Sequence, residues 1–172
     1  MKSFSGYKIA VLASNGFDEA QFLGVQKHIQ EMGAHMVLVS SNQGLVNGWN
    51  GNGWGHNYAV DVPLNTALGV DYDAVVVIGG ERSLEKLKQT AHTRRFISSF
   101  VSAEKPVCLM ADAAYLMRDM EISEGQKVSD TEAVCLDGHI MSGACNAETL
   151  AEYMASMREL MANSQSEMKQ AA

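Results

Sequence analysis

Four short runs along the chain are apolar almost without a break: KIAVLA (Lys8 to Ala13), HMVLVS (His35 to Ser40), DAVVVIGG (Asp73 to Gly80) and PVCLM (Pro106 to Met110). Such runs, lacking polar alternation, are expected of strands covered on both faces, as in a parallel sheet held between two helical layers. Between the first two, Phe22, Val25, Ile29 and Met32 share one helical face. Asp18-x-x-Gln21 has the form of a capping box at the start of that helix, and Gly33 marks its stop, completing a βαβ unit. The spacing predicts a further helix over Arg94 to Glu104, with Phe96, Ile97, Phe100 and Val101 turned inward. A last helix is predicted from an Asn146 cap through Leu150, Met154, Met157 and Met161. EAVCL and HIMS, joined at Asp137-Gly138, read as a short antiparallel pair at a sheet edge. The alternation predicts an α/β fold, a flavodoxin-like doubly wound three-layer sandwich with a mostly parallel central sheet and a small antiparallel edge pair. Ligands are then expected beyond the carboxyl ends of the strands.

Length fits one core. A chain of 172 residues, 47% of them hydrophobic, buries roughly 70% of its unfolded surface as one domain, read here as residues 1–163. The tail SQSEMKQAA (164–172) loses the apolar period and is expected to fray. Thirteen basic against 20 acidic residues give a net charge of −7, with no basic run, so neither nucleic acid nor an anionic membrane is an expected partner. No apolar run approaches the roughly 20 residues needed to cross a bilayer, and the first residues lack the form of a signal peptide, which predicts a cytoplasmic protein.

Cys108, Cys135 and Cys145 are odd in number and show no CxxC spacing, against a disulfide framework or a zinc site; no metal and no cofactor are expected. Cys108 and Cys135 sit in apolar runs and read as core. The segment GWNGNGWGHNYAVDVPL (Gly48 to Leu64) is rich in glycine, yet no helix follows it, so it fails the test for a phosphate cradle. It reads as a surface excursion with a hairpin-like return, on which Trp49 and Trp54 are candidates for a pocket or a subunit contact.

The stretch PVCLMADAAYLM predicts a buried strand running straight into a helix, with the turn at Ala111-Asp112-Ala113. Together with KIAVLASNGFDEAQFLGV, the GW…VDVPL segment and DYDAVVVIGG, it resembles the DJ-1/PfpI superfamily, relatives of the class I glutamine amidotransferases, from about Lys8 to Met161. The resemblance implies a nucleophile elbow. Active relatives carry cysteine at the position of Ala111, usually histidine at Asp112 and glycine at Ala113, and a glutamate at the position matching Gln21. A methyl group cannot attack a carbonyl, and a glutamine cannot shuttle a proton as a carboxylate does. The segment RDMEISEGQKVSDTEAVCL is too short for the strand and helix that PfpI-like relatives insert there. The ADA elbow is similar to that of the C-terminal domain of large-subunit catalases, a non-catalytic member of the superfamily.

These readings predict a non-catalytic domain that binds a small molecule or forms a homo-oligomer. Its candidate ligand-binding positions are Gly79, Gly80, Ala111 and Asp112, whose backbone N–H groups form an anion or carbonyl niche at a helix start. Asp112 is expected to cap that helix, and could itself fill the niche. The alternative is a cysteine-dependent hydrolase of amidase, peptidase, glyoxalase or deglycase type working through Cys145, whose thiol the last helix's N-terminus would acidify. His56 and His139 become candidate bases if folding brings them close.

Overall fold

The protein is described from a computed structural model, covering residues 4–123 and 125–171, with side chains to 167. In chain order the elements are β1 (Lys8–Leu12), β2 (Phe17–Asp18), α1 (Glu19–Met32), β3 (His35–Ser40), β4 (Leu45–Trp49), β5 (Trp54–Ala59), β6 (Val62–Pro63), β7 (Ala74–Val77), α2 (Glu81–Lys88), α3 (Ala91–Ser102), β8 (Val107–Met110), α4 (Leu116–Asp119), β9 (Cys135–Asp137), β10 (Ile140–Gly143) and α5 (Leu150–Ala171). Seven strands form one sheet in the order β6-β3-β1-β7-β8-β10-β9. All neighbours in it are parallel except the edge pair β9 and β10. β2, β4 and β5 form a second, small mixed sheet. The fold is the expected α/β sandwich.

The continuous apolar runs follow from two cores, one on each face. Ile9 and Val11 of β1 face the side packed by Phe22, Val25 and Ile29 of α1 and Met154, Met157 and Met161 of α5. Ala10 and Leu12 face Leu84 and Leu87 of α2 and Phe96, Ile97 and Phe100 of α3. Each strand residue therefore needs an apolar side chain, whichever way it points. Helix α1 begins and ends where the sequence places it: Asp18 caps it by accepting the Gln21 N–H at 3.0 Å, and Gly33, at φ 77, closes it.

Three expectations are corrected. The elbow strand does not run straight into a helix: a 3-10 turn, Ala111–Tyr115, intervenes, and α4 is only four residues long. The chain leaves it with Glu121 in the left-handed region at φ 51, so there is no long helix dipole behind the elbow. Helix α5 continues through Ala171 rather than fraying after Asn163; Gln, Glu, Met and Lys are good helix formers, and Ser164 stays buried on the inner face. Ala172 lies outside the described residues. Helix α3 starts three residues before Arg94, because Thr90 accepts the His92 N–H at 3.2 Å. Among the described residues no helix is long and apolar enough to cross a membrane.

Candidate functional site

The elbow sits at the carboxyl end of β8. Tyr153 of α5, fully buried, donates its hydroxyl to the Leu109 carbonyl at 2.8 Å and so fixes the strand just before the turn. Ala111 then adopts φ 51, a left-handed conformation that costs an L-residue roughly 1 to 2 kcal/mol. Ala113 and Ala114 are fully buried beneath the turn, where bulkier side chains would find no room. The strained backbone of an elbow is present, and its side chain ends in a methyl group.

Two backbone donors converge here from the end of β7, and both are taken by side chains of the chain itself. The Gly79 N–H donates to Gln21 Oε1 at 2.8 Å, and the Gly80 N–H donates to Asp112 Oδ1 at 2.9 Å. Gln21 thus gives up the second half of the capping box expected of it, and spends its amide on the elbow rather than on its own helix start. Asp112, read from sequence as a helix cap, reaches instead across to β7. The three segments meet so closely that a Cβ on Gly79 would lie 2.7 Å from Asp112 Oδ1, 2.8 Å from the Met110 carbonyl oxygen and 2.9 Å from Gln21 Oε1. Of the four positions proposed for a ligand, Gly79, Gly80 and Asp112 are joined by these contacts, and Ala111 adjoins them.

Cys145 is also at the elbow, where it shares a hydrogen bond with the Ala111 backbone. The expected acidification is reversed. Burial pushes this thiol up to about 12, the contact with Ala111 opposes that shift only in part, and the negative charge of Asp18 adds to it. The helix expected to acidify it does not reach the thiol: α5 starts only at Leu150, and Asn146 Oδ1 accepts the Glu148 and Thr149 N–H groups ahead of it at 3.0 Å. Cys108 and Cys135 are buried as well, and burial raises the Cys108 thiol further.

Neither histidine reaches the elbow as a base. His139 precedes β10, and its carbonyl accepts the Val107 N–H, which puts it at the amino end of β8, the opposite end from Ala111. His56 lies on β5 with its ring largely exposed, Nδ1 standing 3.3 Å from Glu19 Oε1.

Glu19 is the residue that sequence reasoning missed. Its carboxylate is buried under the small sheet, where it accepts the His56 N–H at 2.8 Å and the Tyr58 hydroxyl at 3.1 Å. A Cβ on Gly48 or Gly55 would come within 2.8 or 2.6 Å of Glu19 Oε2. Two of the glycines in the odd segment are thus explained: they let the β4–β5 hairpin close over a carboxylate. Burial raises the Glu19 pKa, but the hydrogen bonds from His56 and Tyr58 more than offset this and hold it below the usual glutamate range. A depressed carboxylate stabilises the fold above its unfolded pKa, and that contribution disappears as pH falls through the folded value. Glu19→Gln is accordingly expected to melt about 3 °C lower than wild type at pH 7, with the gap closing by pH 3; thermal melts across pH measure it, and a constant gap would refute the role. Beyond the clamp, Trp49 and Trp54 meet edge to face at 5.3 Å, and the Arg82 guanidinium stacks on Trp49 at 3.8 Å.

Fold and elbow together define an α/β domain with a left-handed turn at the carboxyl end of a central parallel strand. The model of the DJ-1/PfpI family matches residues 7–157, and the chain belongs to that family. It is 29% identical over 131 residues to Catalase HPII of Mycobacterium avium, a match covering 74% of this chain and 18% of the catalase. It is 22% identical over 131 residues to Protein/nucleic acid deglycase 2 of Escherichia coli, covering 76% of this chain and 74% of the deglycase. Among solved structures, a cysteine-to-alanine mutant of the DJ-1 superfamily protein STM1931 from Salmonella typhimurium superposes with a TM-score of 0.75 at 20% identity, over 96% of this chain and 97% of that one.

Proposed function

We propose that this chain is a DJ-1/PfpI domain without covalent chemistry, acting as a small-molecule-binding or structural, homo-oligomeric protein. The observation that carries the reading is the closed elbow: around the Ala111 methyl, the Gly79 and Gly80 amides that would face a reacting oxygen are already bonded to Gln21 and Asp112. An oxyanion hole works through donors left open for the transition state, and these are filled. Trp54 and Leu45, more than half exposed on the β4–β5 hairpin, offer an apolar patch for self-association.

One observation favours a second reading, a hydrolase or deglycase working through Cys145: this thiol touches the elbow backbone. Its chemistry argues against the reading. An ordinary thiol is a few per cent thiolate near neutral pH, whereas one raised to about 12 is ionised on the order of a thousand times less. Iodoacetamide labelling at pH 7.5, followed by mass spectrometry of the intact protein, separates the two. All three cysteines are expected to react at least about tenfold more slowly than in the urea-unfolded chain. Rapid labelling of Cys145 alone, with turnover of methylglyoxal lost in Cys145→Ser, would restore the enzyme.

A further inference from the structure

Beside the hairpin, a cavity of about 510 Å³ opens between α2 and Trp54 of β5, lined by Trp54, Glu81, Arg82, Glu85, Lys86 and Gln89. Both of its walls are held in place. On the helix side, Ser83 Oγ accepts the Ser14 N–H at 2.8 Å, which ties α2 to the end of β1. A Cβ on Gly16, a residue in the left-handed region at φ 93, would collide with the aliphatic stem of Arg82, so that glycine lets the stem lie against the backbone. On the hairpin side, Asn50 Oδ1 accepts the Asn52 and Gly53 N–H groups at 3.0 and 2.9 Å, and the Asn50 N–H donates to the Gly53 carbonyl at 3.0 Å, closing the turn that delivers Trp54. Trp49 joins the two walls, because the Arg82 guanidinium carbon lies 3.8 Å from the centre of its ring and the Trp54 ring centre lies 5.3 Å from it. Walls set in this way spare a ligand the cost of ordering them.

The two groups that Trp49 brings together are chemically different. Trp54, 54% exposed, offers a free aromatic surface. The Arg82 guanidinium enters no ion pair and no hydrogen bond among the described residues. With one face on Trp49, its N–H edge stays open as a fork for a carboxylate. Lys86 and Gln89 follow Arg82 at four- and three-residue steps and extend the strip of donors along one side of α2. Glu81, Glu85 and Lys88 share the neighbouring strip, where Lys88 Nζ holds Glu85 at 3.4 Å and Asp119 at 3.0 Å. A cationic ligand would meet Arg82 and Lys86. A tetrahedral anion leaves Trp54 unused, a neutral ring leaves the fork unused, and a multiply charged anion is opposed by the chain's net charge of −7. The arrangement suits a single carboxylate carried on an aromatic ring.

We propose that this cavity binds a small aromatic monocarboxylate, its ring against Trp54 and its carboxylate on the guanidinium of Arg82. The site makes no use of Ala111, Gln21 or Asp112, so its failure would leave the reading of the elbow standing, and the converse holds too. The chain has two tryptophans, and both are here, so the two indole N–H signals of the full ¹⁵N-labelled protein report the site directly. Titration with benzoate is expected to shift both saturably. Benzamide, which lacks the charge, is expected to bind about tenfold more weakly, the effect of losing one charge-assisted hydrogen bond. Cyclohexanecarboxylate, which lacks the aromatic ring, is expected to bind about fivefold more weakly. Arg82→Gln keeps a stem beside Gly16 and should bring benzoate down to the level of benzamide. Trp54→Ala, at an exposed position, should bring it down to that of cyclohexanecarboxylate, read from the remaining Trp49 signal. Indole signals that do not move with benzoate, equal binding of benzamide, or a preference for benzoate that survives Arg82→Gln would each overturn the assignment. Indole shifts that follow protein concentration and ignore benzoate would overturn it too, and would give the Trp54 face to a second copy of the chain.

Discussion

Gly79→Ala is expected to lower stability by at least about 3 kcal/mol and the melting temperature by about 6 to 10 °C. The methyl has nowhere to go. It would lie within 3 Å of three oxygens, those of Asp112, Met110 and Gln21. The Met110 carbonyl belongs to β8, which is paired on both sides, to β7 and β10, and cannot yield without disturbing the sheet. Asp112 and Gln21 can swing aside, but each then abandons a backbone amide, and an orphaned buried donor costs about 1 to 3 kcal/mol. Gly33→Ala is the informative control. Its backbone is left-handed, at φ 77, yet its added Cβ would meet nothing within 4 Å, so only the conformational cost of about 1 kcal/mol applies. Urea unfolding of both variants measures the difference, and a Gly79→Ala loss no greater than that of Gly33→Ala would mean that the elbow is not packed shut.

The contrast between those two glycines also shows what could be read in the sequence. Gly33 was legible because its role is local: it ends a helix whose apolar face is visible in the preceding residues. The β1, β3, β7 and β8 runs were legible for a similar reason, since both faces of those strands are buried and every position records it. Helix α2 was not, because ERSLEKLK is only eight residues long and opens at Gly80 with no side-chain cap to mark its start. The elbow was half legible. Ala111 and Gln21 could be identified as departures by likeness to active relatives, but the bond from the Gly79 amide to Gln21 spans 58 positions and that from Gly80 to Asp112 spans 32. Nothing local marks such contacts, and local rules pointed elsewhere, to a capping box for Gln21 and a helix cap for Asp112. Glu19 escaped notice for the same reason. In sequence it is one more acidic residue in a first helical turn, and only the hairpin 37 residues away makes it a buried clamp.

The two departures at the elbow are physically coupled, and Gln21→Glu tests the coupling. Gln21 Oε1 and Asp112 Oδ1 both lie within 3 Å of the same point beside Gly79. Two unit charges about 5 Å apart at an effective dielectric of about 20 repel by about 3 kcal/mol. A carboxylate would gain about a third of that back through a stronger bond from the Gly79 amide, leaving a net loss of about 2 kcal/mol at pH 7.5. The sign with pH follows from the repulsion: the introduced acid has a folded pKa above its unfolded one, so the penalty is complete above the folded value and fades as pH falls toward about 4.3, the unfolded glutamate value. Chemical denaturation of Gln21→Glu should therefore show a deficit at pH 7.5 that is mostly gone by pH 4.5. Adding Asp112→Asn should remove most of it at pH 7.5, the interaction energy of a double-mutant cycle. A deficit independent of pH, or untouched by Asp112→Asn, would show that the two positions do not sense each other. If they do, the aspartate that closes the niche and the glutamate that active relatives place beside their cysteine exclude one another near neutral pH, and a thiol restored at position 111 would find no proton acceptor there until Asp112 was replaced as well.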